Sequence, residues 1–191
     1  WPKGGSGGYA GSDGQSVMAA FDEGDTRCIH SAEALETEFP VQMECSVLRT
    51  DSGGAGRWMG GLGVKRQVRL LSEGTYSLLA DRAVLPSYGL GGGRLGKPTA
   101  AAILRKGREI PVATPGKCHD FPINPGDRLV MLSGGGGGFG DPLNRPVEEV
   151  EADVRAGYIS RKEAEWSYGV VFTAGGEIDK RRTAARKRTL A

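Results

Sequence analysis

Cysteine, histidine and aromatic residues are all scarce in this chain of 191 residues, and each scarcity removes a class of function. The three cysteines, Cys28, Cys45 and Cys118, form an odd set without C-x-x-C spacing, which argues against a disulfide framework and a thiolate zinc site and leaves buried free thiols. Two histidines, His30 and His119, are too few for a self-contained His-rich metal centre. Aromatics make up 7 % of the chain, and no basic face interleaved with them is visible, so nucleic acid is not the expected partner. No run of about 18 apolar residues occurs and the N-terminus lacks the basic and apolar blocks of a signal peptide, so no membrane segment is expected and the cytoplasm is the default compartment.

Charge is nearly balanced, with 25 Lys and Arg against 23 Asp and Glu, but unevenly placed. Six of the basic residues and only two acids lie between Glu177 and Ala191, which reads as the solvated face of a terminal helix or a subunit contact. What the chain has in excess is glycine, 32 residues, more than twice the usual share of about 7 %. The absence of a Gly-X-Y period excludes collagen, and 38 % hydrophobic with 25 % charged residues describes a globular chain rich in tight turns and close backbone approaches. Its first residue is Trp1 rather than Met, and residues 1–15 carry six glycines and almost nothing to bury. Residues 1–30 are therefore read as a glycine-rich segment continuing from a larger domain or partner chain, flexible unless a partner orders it.

Residues 31–145 read as a β-rich domain and 146–191 as a helical extension, giving an α+β fold: a sheet or meander with two or three C-terminal helices. Ser31 caps a short helix that Pro40 stops. The alternation from Val41 predicts a strand, and segments from Gly63 and from Thr75 predict two more, joined across Ser72-Glu-Gly74 as a hairpin to complete a three-stranded meander. A second hairpin turns at Lys106-Gly107, and Asp127 opens a short buried strand. Pro146 with two glutamates opens a helix that Gly157 closes. Ser160-Arg-Lys-Glu163 is a capping box for a helix ending near Gly169, Val170-Val-Phe-Thr predicts one more strand, and Asp179 caps a final helix with a cationic end.

Gly91-Gly-Gly-Arg-Leu-Gly96-Lys97 fits G-x-G-x-x-G and most of the phosphate-loop pattern, but Pro98 stands where magnesium needs a hydroxyl, so nucleotide binding is not read here. Ser133-Gly-Gly-Gly-Gly-Gly-Phe-Gly-Asp-Pro142 allows two readings: a nest of N–H groups facing an anion or reacting carbonyl, or, favoured, a tight backbone crossing with no room for Cβ. Asp81-Arg82 is read first as an internal ion pair fixing a loop, and second as a clamp in which the arginine holds an anionic substrate. Lys117-Cys-His-Asp120, with Cys28 and His30, offers nucleophilic or metal-capable groups at no known spacing.

Several segments carry a resemblance in this order. They are Ser31-Ala-Glu-Ala-Leu-Glu-Thr-Glu-Phe-Pro-Val, Asp51-Ser-Gly-Gly-Ala-Gly-Arg-Trp-Met-Gly-Gly-Leu-Gly-Val, Ala80-Asp-Arg, Tyr88-Gly-Leu-Gly-Gly-Gly, Pro125-Gly-Asp, the pentaglycine run, Val154-Arg-Ala-Gly-Tyr-Ile-Ser and Tyr168-Gly-Val-Val-Phe. Across roughly residues 30 to 172 the chain resembles the C-terminal third of the hydantoinase B / 5-oxoprolinase family. The resemblance implies part of the B component of an ATP-dependent enzyme that opens cyclic amides, or of a related carboxylase of acetone or acetophenone; the other alternative is a purely structural subunit. The implied partners are a hydantoinase A-like ATPase subunit and the remainder of B. ATP and Mg would be used by that ATPase, with no metal bound by this chain alone and any divalent metal elsewhere in the complex. The candidate site residues are Asp81, Arg82 and Lys117, with Gly134, Gly135, Gly136, Gly137 and Gly138 as a backbone lining for substrate or anion. The chain departs from the family at Cys28-Ile-His30, where Asn-Thr is usual, and keeps only the lysine of Lys117-Cys-His-Asp.

Overall fold

A computed structural model describes residues 3–18, 31–110 and 115–190. Seven strands and four helices follow one another in an α+β arrangement: α1 (Ala32–Glu38), β1 (Val41–Leu48), β2 (Val64–Leu70), β3 (Gly74–Leu79), β4 (Ala100–Arg105), β5 (Arg108–Ile110), β6 (Lys117–Ile123), β7 (Arg128–Leu132), α2 (Val147–Arg155), α3 (Arg161–Tyr168) and α4 (Lys180–Leu190). Five strands form an antiparallel sheet in the order β1-β2-β7-β4-β5, while β3 and β6 pair as a separate two-stranded sheet. The hairpin at Lys106-Gly107 and the strand after Asp127 are present, and β7 lies in the middle of the large sheet. The expected three-stranded meander is not: β2 is bonded by β1 along one edge and by β7 along the other, so no edge is left for β3.

Helix ends follow the sequence signals. Ser31 Oγ accepts from Ala34 N at 3.2 Å, Asp179 Oδ1 accepts from Arg182 N at 2.9 Å, and Gly157 and Gly169 close α2 and α3 with φ of +76° and +68°. Only half of the capping box at Ser160 forms. Ser160 Oγ takes the Glu163 N–H at 3.1 Å, but the Ser160 N–H goes to Asp51 Oδ1 at 2.6 Å, and the Glu163 carboxylate accepts from Ser167 Oγ instead. The strand expected from Val170 reduces to one bridge, Phe172 to Ile178. Val150, Ile159, Ala164, Tyr168 and Val170 pack with Met59 and Ala55 into a core that joins the C-terminal helices to the glycine-rich loops.

Those loops form the structural centre. Residues 3–18 are not left for a partner to order: Gly5 N donates to Gly134 O at 3.0 Å and Gly8 N to Gly137 O at 2.9 Å. On another side, Gly135 N and Gly138 N donate to Lys97 O and Arg94 O, again three residues apart. A Cβ on Gly135 or Gly138 would meet Ser52 O or Ala55 O, on Gly136 Ser6 O, and on Gly137 Tyr88 O. Contacts that return to the same neighbour every third residue describe a chain with three residues per turn, surrounded by the segments 4–8, 52–55, 60–61 and 88–97. Glycine is required because each Cβ position is already occupied by a carbonyl.

Candidate functional site

β3 ends at Leu79, and the chain then turns away over the surface of the glycine bundle. Ala80 N donates to Gly116 O at 2.8 Å, and Arg82 O accepts from Thr99 N at 3.0 Å, so both ends of the turn are tied to the fold. Arg82 has a φ of +59°, a conformation costly for a residue with a Cβ and one that concentrates at functional positions. A groove of about 450 Å3 runs beside it, lined by Ala80 to Leu85, Pro115 and Lys117. Arg82 also lines two smaller clefts of about 250 and 200 Å3. Asp81 borders the groove and the smallest cleft, Gly137 and Gly138 the second, and Gly134 the third.

Three separated stretches of sequence, 81–82, 117 and 134–138, thus each contribute to at least one of three clefts that have Arg82 in common. The ion pair expected between Asp81 and Arg82 is absent among the described residues, and both side chains are exposed to the clefts. Within the pentaglycine, the amides of Gly135, Gly136 and Gly138 donate to Lys97 O, Gly61 O and Arg94 O, as backbone crossing requires. The amides of Gly134 and Gly137 make no hydrogen bond among the described residues. They are three apart, and each glycine lines a cleft that Arg82 also lines. Gly137 is buried, and a buried amide without a partner is rare. Gly135 and Gly136 line none of the three clefts.

Lys117 opens β6 opposite Leu79. The residues after it serve the two-stranded sheet: Cys118 Sγ approaches Tyr76 O at 3.6 Å, and His119 and Asp120 are exposed beside Ser77, whose Oγ lies 3.3 Å from His119 Nδ1. Cys45 and Cys118 are free thiols, half-buried rather than buried; Cys28 and His30 lie outside the described residues. No group of three His, Cys, Asp or Glu side chains is placed to hold a metal ion among the described residues. The sequence reading missed Ser87 and Thr99, polar residues of the clefts whose signal was their position immediately flanking the 88–97 glycine run.

The phosphate-loop likeness at 91–97 fails on its backbone. Gly93 N donates to Leu90 O, Arg94 N to Ala55 O, Gly96 N to Ser87 O and Lys97 N to Ser52 O, so these amides face protein carbonyls rather than a phosphate. The buried charges lie elsewhere. Arg145, 3 % exposed, donates to both oxygens of Asp13 at 2.8 Å, to Asp153 at 3.0 Å and to the carbonyl of Arg57 at 3.1 Å. Burial pushes the Asp153 carboxyl up from its ordinary value, and the Arg145 charge pulls it back only in part. Burial likewise works against the Arg145 charge, but the hydrogen bonds that Arg145 donates to Asp13 and the charges of Asp153 and Asp13 more than offset it.

The family model described as hydantoinase B/oxoprolinase matches residues 1–142, which include every cleft residue named above. The chain belongs to the hydantoinase B/oxoprolinase family. It is 31 % identical over 179 residues to the B component of a putative D-/L-hydantoinase from Pseudomonas sp. (strain NS671), covering 93 % of this chain and 30 % of that one. It is 35 % identical over 164 residues to the beta chain of the caprolactamase of Pseudomonas jessenii, covering 81 % and 27 %. The nucleotide-free structure of an acetone carboxylase that carries out ATP-dependent acetone carboxylation superposes with a TM-score of 0.79 at 25 % identity, over 99 % of this chain and 30 % of that one. The chain therefore spans about 30 % of the length of these hydantoinase B-type relatives. No helix is long and apolar enough to cross a membrane among the described residues.

Proposed function

We propose that the chain is the C-terminal part of the B component of an ATP-dependent cyclic-amide hydrolase, acting on a hydantoin, 5-oxoproline or another lactam together with an ATPase-like A component. Relatives named as parts of a hydantoinase and a caprolactamase support the reaction class. The observation that carries the site is that Arg82 lines two clefts, one with Gly137 and one with Gly134, whose amides make no hydrogen bond among the described residues. ATP with Mg, used by the A component, supplies the phosphoryl group that activates the amide oxygen; in the 91–97 run the amides of Gly93, Arg94, Gly96 and Lys97 already donate to protein carbonyls, which does not suit a triphosphate cradle.

The residues of this chain then have separate tasks. The Arg82 guanidinium pairs with the anionic oxygen group of the activated ring, and Lys117 adds a second positive charge along the same groove. The buried Gly137 amide donates to the oxygen on which charge develops as the ring carbon becomes tetrahedral, and the Gly134 amide, one turn or about 9 Å along the chain, is left for another oxygen of the substrate. Asp81 accepts a hydrogen bond from the ring N–H and orients it. The likeness to acetone carboxylase favours a second reading, ATP-dependent carboxylation of a ketone, in which the Gly137 amide would face an enolate oxygen.

Arg82→Ala tests the site in the assembled complex. Ring opening is expected to fall by about 100-fold, the size of losing one donor to a developing oxyanion, with the assembly intact. Unchanged turnover would remove Arg82 from the chemistry, and loss of assembly would support a purely structural role. ATP-dependent incorporation of bicarbonate into acetone, without lactam opening, would select the carboxylase.

A further inference from the structure

Large apolar side chains crowd the rim of the Arg82 clefts. Val84 and Leu85 at the groove, Tyr88 and Leu90 at the second cleft, and Leu79 opposite Lys117 are 56 % to 79 % exposed. Beside them stands a sheet of only two strands, β3 and β6, which in water is marginal without something packed against it. The β1 edge of the large sheet is managed differently: β1 carries a register shift between Met43 and Cys45, and its Met43 N–H is taken by Glu36 Oε1 at 2.7 Å. Helix α4 presents six Lys and Arg residues and no apolar stripe. One face is therefore built to be covered, and it is the face holding the candidate site.

We infer that this face seats the remaining, larger part of the B polypeptide, so that the substrate cavity closes between the two parts and Arg82 lies at their junction. The proposal rests on the reading of the site given above. The occupant follows from length: the hydantoinase and caprolactamase relatives match this chain over only 30 % and 27 % of their own sequences, and their greater part must pack against this region somewhere. A second copy fits poorly, because a two-fold contact centred here would set Arg82 and Lys117 against their own like charges.

Hydroxyl-radical footprinting of the native assembly tests this, with Trp166 and Val47, exposed elsewhere, as internal references. Leu79, Val84, Leu85 and Tyr88 are expected to be protected while Trp166 and Val47 label in full. Leu85→Asp in the same assembly should unseat the contact and raise labelling of Leu79, Val84 and Tyr88 toward that of Val47, whereas Trp166→Asp should not. Free labelling of the four residues, or a cross-link from this face to a second copy of the chain, would overturn the proposal. Arg82→Ala separates the two readings: an active, assembled Arg82→Ala enzyme with a protected face refutes the catalytic role alone.

Discussion

Gly136 shows how narrowly the fold depends on single atoms. Its Cβ position lies 1.8 Å from Ser6 O, an oxygen that already accepts from Gly61 N at 2.8 Å. Gly136→Ala must therefore push the 4–8 segment away and break that bond, at about 3 kcal/mol or more, the upper end for overpacking a rigid interior. Gly107→Ala is the control: its φ of +76° disfavours alanine but nothing lies within 4 Å, so about 1 kcal/mol is expected from backbone conformation alone. Urea denaturation of both variants measures the difference, and equal losses would show that conformation rather than contact selects glycine at 136. The sequence reading weighed the crossing against an anion nest and favoured the crossing for the whole run. Gly135, Gly136 and Gly138 obey it, whereas the amides of Gly134 and Gly137 have no partner among the described residues, a distinction set by which neighbour each third residue meets and invisible in five identical letters.

Elements are joined by charge where strands meet turns. Asp127 precedes β7 and is 2 % exposed; it takes two bonds from Arg105 Nε at the end of β4, one from Arg105 Nη2 at 2.7 Å, and the N–H of Asn124. The Arg105 hydrogen bonds hold its carboxyl below the ordinary aspartate range. A depressed folded pKa gives stability that is complete above the unfolded value near about 3.9 and is lost as pH falls through the folded value. Asp127→Asn should thus cost about 2 kcal/mol at pH 7, the scale of a charge-assisted bond, and should flatten the stability loss of the native protein between about pH 5 and 2. Parallel slopes for the two proteins would show that Asp127 is not the titrating group. Element ends were legible because Ser31, Gly157, Ser160 and Asp179 act within one turn of chain. Pairing was less so: β3 reads as the next strand of a meander until β7, far along the chain, occupies the edge of β2.

At the scale of the whole molecule the family likeness was legible from ordered glycine motifs, while the partners of the buried charges were not, since Asp13 lies far in sequence from Arg145 and Asp153 and none of the three sits in a motif. Arg145 ties the N-terminal segment to the helical core through one guanidinium. Met59 N also donates to Asp13 Oδ1 at 2.6 Å, and Arg57 joins through Glu149 at 2.9 Å. Arg145→Met leaves the Asp153 carboxylate in a site where burial already disfavours its charge, so about 3–5 kcal/mol should be lost, the size of breaking a buried pair from one side. Limited proteolysis should then cut within residues 3–18, which lose their Asp13 anchor. Arg145→Met combined with Asp153→Leu removes both charges and should be less damaging than the two single losses added together. Additive losses in urea denaturation would mean that the two residues act independently and that Asp153 is not the charge Arg145 compensates.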